Sequence, residues 1–210
     1  MRACEDCAMR AVIFDMDGVL VLSEDAWFDV YNATLALFSH AAISREAFDA
    51  IYGNGTEADR AAYMPERTVD EIDAAYARLF AERHDAVRVN PEAVGTLEAL
   101  RARGLKAALA TNTNRPLAER ILAGAGLGAL LDAVACANEA GAGKPDPAVV
   151  RLAASRLGVP LSECLFVGDS KYDAEAARRA PVAFLGYRFG SEARIESLGE
   201  LALRIDSGRP

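Results

Sequence analysis

The chain opens on an uninterrupted apolar run, residues 11–14, that passes straight into Asp15, Asp17 and Gly18. A short apolar run ending in a turn predicts a strand buried on both faces. From about residue 23 to 89 the period becomes helical. Trp27, Val30, Tyr31, Thr34, Leu35 and Phe38 recur at three- and four-residue steps, as do Ile72, Ala75, Tyr76, Leu79 and Phe80. Between these runs, Gly53-Asn54-Gly55-Thr56 predicts a loop. Asn90-Pro91-Glu92 predicts an N-cap with proline in the first helical position, opening a helix to about residue 103. Strands over 105–110, 132–136, 163–167 and 182–185 then alternate with helices over 115–123, 147–157 and 172–180. Such alternation predicts an α/β fold, a parallel sheet with helices on both faces, into which the all-helical stretch is inserted as a cap. The expected division is a core of residues 9–22 and 90–210 and a cap of 23–89. Because Met9-Arg10-Ala11 repeats Met1-Arg2-Ala3 just before the first strand, residues 1–8 read as an extension outside the fold.

With 210 residues, 52% of them apolar, and no long polar or Gly/Pro-rich tract, the chain can bury one sizeable core and is expected to fold almost throughout. Its 23 basic residues against 31 acidic ones give a net charge of −8, which argues against nucleic acid as a partner. No stretch approaches eighteen consecutive apolar residues and the start lacks signal-peptide architecture, so a cytoplasmic protein without a membrane partner is expected. Cys4 and Cys7 have C-x-x-C spacing, but no second pair or nearby histidine completes a zinc site, and no strand precedes them as in redox motifs. Cys136, in an apolar run, reads as core. With His40 and His84 the only histidines, both in amphipathic surroundings, the chemistry falls to carboxylates.

The candidate carboxylates gather at predicted strand ends, the edge where parallel sheets bind ligands. The first strand ends in Asp15 and Asp17, the second in Thr111 and Asn112, and a later one in Gly168-Asp169-Ser170 with Asp173 beyond; Lys144 lies in a loop between them. Buried acids require a neutralising partner, commonly a divalent cation. Taken singly, each has a plain reading. Asp15-x-Asp17-Gly18 fits an Asx-type turn, Lys144 a surface lysine, Thr111 a helix cap, and Asp173 a first-turn acid.

Taken together, Asp15-x-Asp17-Gly18, Thr111-Asn112, Gly143-Lys144-Pro145-Asp146-Pro147 and Gly168-Asp169-Ser170-x-x-Asp173 resemble the haloacid dehalogenase-like hydrolase superfamily in order, spacing and strand-end placement. The helical insertion resembles the C1 cap of its phosphoglycolate phosphatase and β-phosphoglucomutase branch. The resemblance implies a Rossmann-like core and a Mg²⁺-dependent phosphatase acting through an aspartyl-phosphate. Asp15 would be the nucleophile and Asp17 the general acid and base. Thr111 would bind the phosphoryl oxygens, with Asn112 beside them, and Lys144 would offset transition-state charge. Mg²⁺ would be held by Asp15, Asp169 and the backbone carbonyl of Asp17, with Asp173 ligating through water or holding Lys144.

The chain departs from the branch at Leu22-Ser23, where an aspartate commonly precedes the serine or threonine, and at Ala180-Pro181, where glycine is common. Asp17 argues against a dehalogenase, which lacks a second acid. A β-phosphoglucomutase-like phosphomutase and a non-catalytic binding module are the alternatives to a phosphatase. The expected partner is a small phosphorylated metabolite such as phosphoglycolate or a sugar phosphate. A monomer is the expectation and a dimer the alternative. In the cap, residues 53–56 and Arg60 are candidates to face the substrate, whereas Trp27 and Tyr31 read as core packing ahead of cleft lining.

Overall fold

In the computed structural model, which describes residues 9–83, 87–190 and 193–206, the first apolar run forms β1 (Ala11–Phe14). It lies between β4 (Lys106–Thr111) and β6 (Cys164–Gly168). β5 (Ala133–Cys136) pairs with β4, while β7 (Ala183–Tyr187) and β8 (Arg194–Ile195) extend the far side. The order is β5-β4-β1-β6-β7-β8, every pairing parallel. Residues 1–8, with Cys4 and Cys7, and His84 lie outside the described residues. None of the described helices is long and apolar enough to cross a membrane.

Because successive side chains of a strand point to opposite faces, β1 feeds two cores. Ala11 and Ile13 pack with Phe166 under α8 (Ala148–Leu157) and α9 (Lys171–Arg179). Val12 and Phe14 join Leu109, Val167 and Leu185 in the larger core on the other face, with α5 (Ala93–Ala102), α6 (Arg115–Gly124) and α10 (Gly199–Asp206). Burial on both faces is why these strands read as apolar runs rather than alternating ones. Cys136 is fully buried in the larger core.

The helical insertion comprises α1 (Glu24–Leu37), α2 (Arg45–Asp49), α3 (Thr56–Tyr63) and α4 (Val69–Ala81). Trp27 of α1 packs against Tyr76 and Phe80 of α4, with ring centroids 5.4 and 5.0 Å apart. Such aromatic pairs contribute about 0.5–1.5 kcal/mol each beyond area burial. The chain enters the block through β2 (Val21–Leu22) and leaves through β3 (Arg88–Val89), which pair antiparallel and bring both crossings together.

Three local expectations change. The region is not helical throughout, because β3 occupies its last two residues; a two-residue strand carries no measurable period. Residues 182–185 do not end the sheet, since β8 and α10 follow β7. α5 starts at Ala93 with Glu92 as N-cap, because Asn90 is used otherwise. Its amide donates to the Val19 carbonyl at 2.8 Å and the Tyr187 hydroxyl at 3.1 Å, while its oxygen accepts from the Glu92 N–H at 3.1 Å.

Candidate active site

The β1 register places Phe14 beside Leu109 of β4 and Val167 of β6, so Asp15 leaves the sheet between Thr111 on one side and Asp169 on the other. The next hydrogen bond beyond the strand runs from the Asp15 N–H to the Val167 carbonyl at 2.9 Å. Lys144, 2% exposed, lies with its ammonium 2.6 Å from Asp15 Oδ1 and 2.7 Å from Asp173 Oδ1. Asp173 thus makes the ion pair with Lys144. Its other oxygen accepts from the Ser170 hydroxyl at 2.5 Å and the Ser170 N–H at 3.1 Å, closing a capping box at the start of α9. Gly168 permits this packing: a Cβ there would lie 2.4 Å from Asp173 Cβ.

Asp15, Asp169 and Asp173 bring carboxylate oxygens within 4.8 Å of one another. Against these three acids stands one ammonium, Lys144, so the group, if fully ionised, has two formal negative charges unbalanced. Burial, opposed by Lys144 and reinforced by Asp173, pushes the Asp15 carboxyl up to about 7. Burial with the nearby charges of Asp15 and Asp173 raises Asp169 well above its ordinary range. Among the described residues no cation pairs directly with Asp169. Lys144 is driven down by burial but up by Asp15 and Asp173, and the acids prevail. Hard oxygen donors with two unbalanced charges fit a divalent cation such as Mg²⁺. Gly18, at φ +84°, lets the Asp169 carboxylate approach: an added Cβ would stand 1.8 Å from its Oδ2.

The Asp17 carboxylate lies outside that group. Its Oδ1 accepts from the Ser23 hydroxyl at 2.5 Å and the Trp27 indole N–H at 2.9 Å, and its Oδ2 accepts from the Thr113 hydroxyl at 3.0 Å. Two of these donors come from the segment entering α1, and the third from the loop after β4. Ser23 therefore contacts Asp17 even though no aspartate precedes it. Trp27 packs on α4 and also lines the cleft, because indole offers a polar edge on an apolar body. Ser23 holds the serine or threonine place of the branch pattern, the one signal for its contact, whereas nothing in the sequence marks Thr113, since a hydroxyl beside a motif has no pattern of its own.

Thr111 is buried, its hydroxyl accepting from the Thr113 N–H at 3.1 Å. Asn112 spends both amide hydrogens on backbone carbonyls, those of Gly53 and Lys144, each at 2.9 Å, and its oxygen accepts from the Lys144 N–H at 2.6 Å. It ties the 53–56 loop of the helical block to the loop bearing Lys144. That loop lines the cleft as expected, but Arg60 does not. Arg60 is turned into a bidentate pair with Glu57, at 2.8 and 3.0 Å. His40 pairs with Glu66 at 2.8 Å, among residues that do not line the cleft.

With this geometry in place, known proteins offer a comparison. The sequence model of the haloacid dehalogenase-like hydrolases matches residues 9–181. A phosphoglycolate phosphatase of Rhodospirillum rubrum is 35% identical over 94% of this chain and 87% of its own. The pyrophosphatase PpaX of Bacillus velezensis is 31% identical over 83% of this chain and 81% of its own. Among solved structures, a hydrolase from Pseudomonas syringae superposes with a TM-score of 0.84 at 23% identity, covering 96% of this chain and all of the other (100%). CbbY from Rhodobacter sphaeroides, in complex with phosphate, superposes with a TM-score of 0.80 at 22% identity over 92% and 96% of the two chains.

Proposed function

Because the chain belongs to the haloacid dehalogenase-like hydrolases and is a phosphoric monoester hydrolase, we propose that it hydrolyses a small phosphomonoester with Mg²⁺, through an aspartyl-phosphate on Asp15. The observation that carries this reading is the separation of two carboxylates by environment. Asp15 sits among Lys144, Asp169 and Asp173, while Asp17 is held 2.5–3.0 Å from three neutral donors. One fold thereby keeps a nucleophile and a proton carrier side by side with different partners.

In this reading Asp15 Oδ2 attacks phosphorus, since its Oδ1 is engaged by Lys144 and by the Met16 N–H at 2.7 Å. Asp17, fixed by Ser23, Trp27 and Thr113, delivers a proton to the departing alcohol oxygen and later takes one from the water that hydrolyses the aspartyl-phosphate. Thr111 and Lys144 present a hydroxyl and a buried cation to the phosphoryl oxygens. Asp15, Asp169 and the Asp17 carbonyl would hold Mg²⁺, with Asp173 steadying Lys144. When bound, the ion screens the repulsion between carboxylate and phosphate. The helical block acts as a cap over residues 23–89, closing the site against water, with Asn112 as a latch to Gly53. One chain supplies every group named, so a monomer suffices.

The test is phosphate release from p-nitrophenyl phosphate and small phosphomonoesters with Mg²⁺ and then with EDTA. Release should stop with EDTA and return with excess Mg²⁺, and Asp15→Asn should abolish it while the circular dichroism spectrum is kept. Release by Asp15→Asn at a wild-type rate would remove Asp15 as the nucleophile.

A further inference from the structure

The cleft has about 80 Å³ of free space between the core and the helical block. On the core side stand Asp15, Asp17 and Thr111; on the other stand Trp27, Tyr31, Asp59, Asp73 and Tyr76. Its charge is one-sided. Among the described residues Lys144 is the one cation lining it, and that ammonium is committed to Asp15 and Asp173. Arg60, the nearest arginine in sequence to the Gly53–Thr56 loop, is bound to Glu57 and faces elsewhere.

The two acids of the far wall accept hydrogen bonds from neutral hydroxyls. Asp59, 9% exposed, accepts from the Tyr76 hydroxyl at 3.0 Å, and Asp73 accepts from the Thr56 hydroxyl at 2.6 Å. No lysine or arginine of the described residues forms an ion pair with either. Burial pushes the Asp59 carboxyl up to about 7, with Asp73 adding to the rise. Independently, Tyr31 lines the same cleft at 3% exposure, and its hydroxyl has no hydrogen-bond partner. A buried carboxylate without a counter-charge and an orphaned phenol oxygen are each unfavourable unless a ligand completes them.

Resting on the phosphatase reading, we propose that this wall selects phosphomonoesters whose alcohol carries an amino group, and discriminates against those with a second anion. An ammonium there would meet Asp59 and Asp73 as ionic acceptors, the Tyr31 oxygen as a third, and the Trp27 and Tyr76 rings for cation–π contact. A carboxylate or second phosphate in the same place would meet two like charges and no cation. The small cleft favours an alcohol of a few heavy atoms.

Three phosphomonoesters of equal length decide the matter: 2-aminoethyl phosphate, 2-hydroxyethyl phosphate and phosphoglycolate. The expected order of kcat/KM is ammonium over hydroxyl over carboxylate, at least tenfold from first to last. Asp59→Asn should reduce the first-to-last ratio at least fivefold; Asp73→Asn serves if that variant does not fold. Hydrolysis of p-nitrophenyl phosphate reports separately on the phosphatase reading. If it is turned over while phosphoglycolate equals or exceeds 2-aminoethyl phosphate, the proposal is overturned and the phosphatase stands. If nothing is turned over, calorimetric binding of the three compounds to Asp15→Asn with Mg²⁺ decides. Tightest binding of the amine supports the proposal, and equal or tighter binding of phosphoglycolate overturns it.

Discussion

Asp59→Asn makes a prediction about stability that needs no substrate. In the folded protein burial and Asp73 outweigh the Tyr76 hydrogen bond and raise Asp59 from 3.8 to about 7. The folded state therefore holds the proton to higher pH than the unfolded chain does. A group with a raised acid pKa stabilises least when ionised, so this contribution falls as pH rises from about 4 through 7 and then levels. At 1.36 kcal/mol per pH unit the whole span is about 4 kcal/mol, of which more than half is lost between pH 5 and pH 8. Asparagine resembles the protonated acid in shape and does not titrate. The variant should therefore gain on the wild type by roughly 2–3 kcal/mol between pH 5 and pH 8, or about 5–10 °C in Tm for a chain of this size. Urea unfolding of both proteins in EDTA, at half-unit steps of pH, measures the difference. Asp15 titrates over part of the same range, but it is common to both proteins and cancels. Parallel stability profiles from pH 5 to pH 8 would refute the reasoning and show that the Asp59 carboxylate is already compensated in the empty cleft.

Lys144→Met should cost about 3–5 kcal/mol at pH 7 by urea unfolding, since it leaves Asp15 and Asp173 buried without their cation. Adding Asp173→Asn should recover part of that loss; additive losses would refute the pairing. Gly18→Ala places a Cβ 1.8 Å from Asp169 Oδ2 at φ +84°, so Mg²⁺ titration of phosphate release should need at least tenfold more metal. Unchanged metal dependence would separate Asp169 from the metal site. Trp27→Phe keeps the ring packing on Tyr76 and Phe80 but removes the indole donor to Asp17. It should lower kcat about 10- to 100-fold, the equivalent of one hydrogen bond to a charged group, with the circular dichroism spectrum kept; an undiminished kcat would show that Ser23 and Thr113 suffice.

Much of the site was legible because the chemistry sits at strand ends. Asp15, Thr111 and Asp169 follow apolar runs that announce themselves, and parallel pairing brings those ends to one edge. Lys144 was harder. A lysine in a Gly-Ala-Gly-Lys-Pro loop reads alone as surface, yet it is nearly fully buried, because two carboxylates from distant segments enclose it. The donors to Asp17 and the latch role of Asn112 depend on how the helical block meets the sheet, a relation that no local pattern encodes.

By itself the sequence determined the central strands, most of the helices and the family, since these rest on short-range regularities: the period of apolar residues, and acids at fixed distances from strand ends. Tertiary structure alone decided the balance of charge. Whether Arg60 turns to the cleft or to Glu57, and whether Asp59 and Asp73 face solvent or a shared cavity, depends on contacts between α3, α4 and the core. A charge states its sign in the sequence, but its partner and its distance from water are set only when helices close over it.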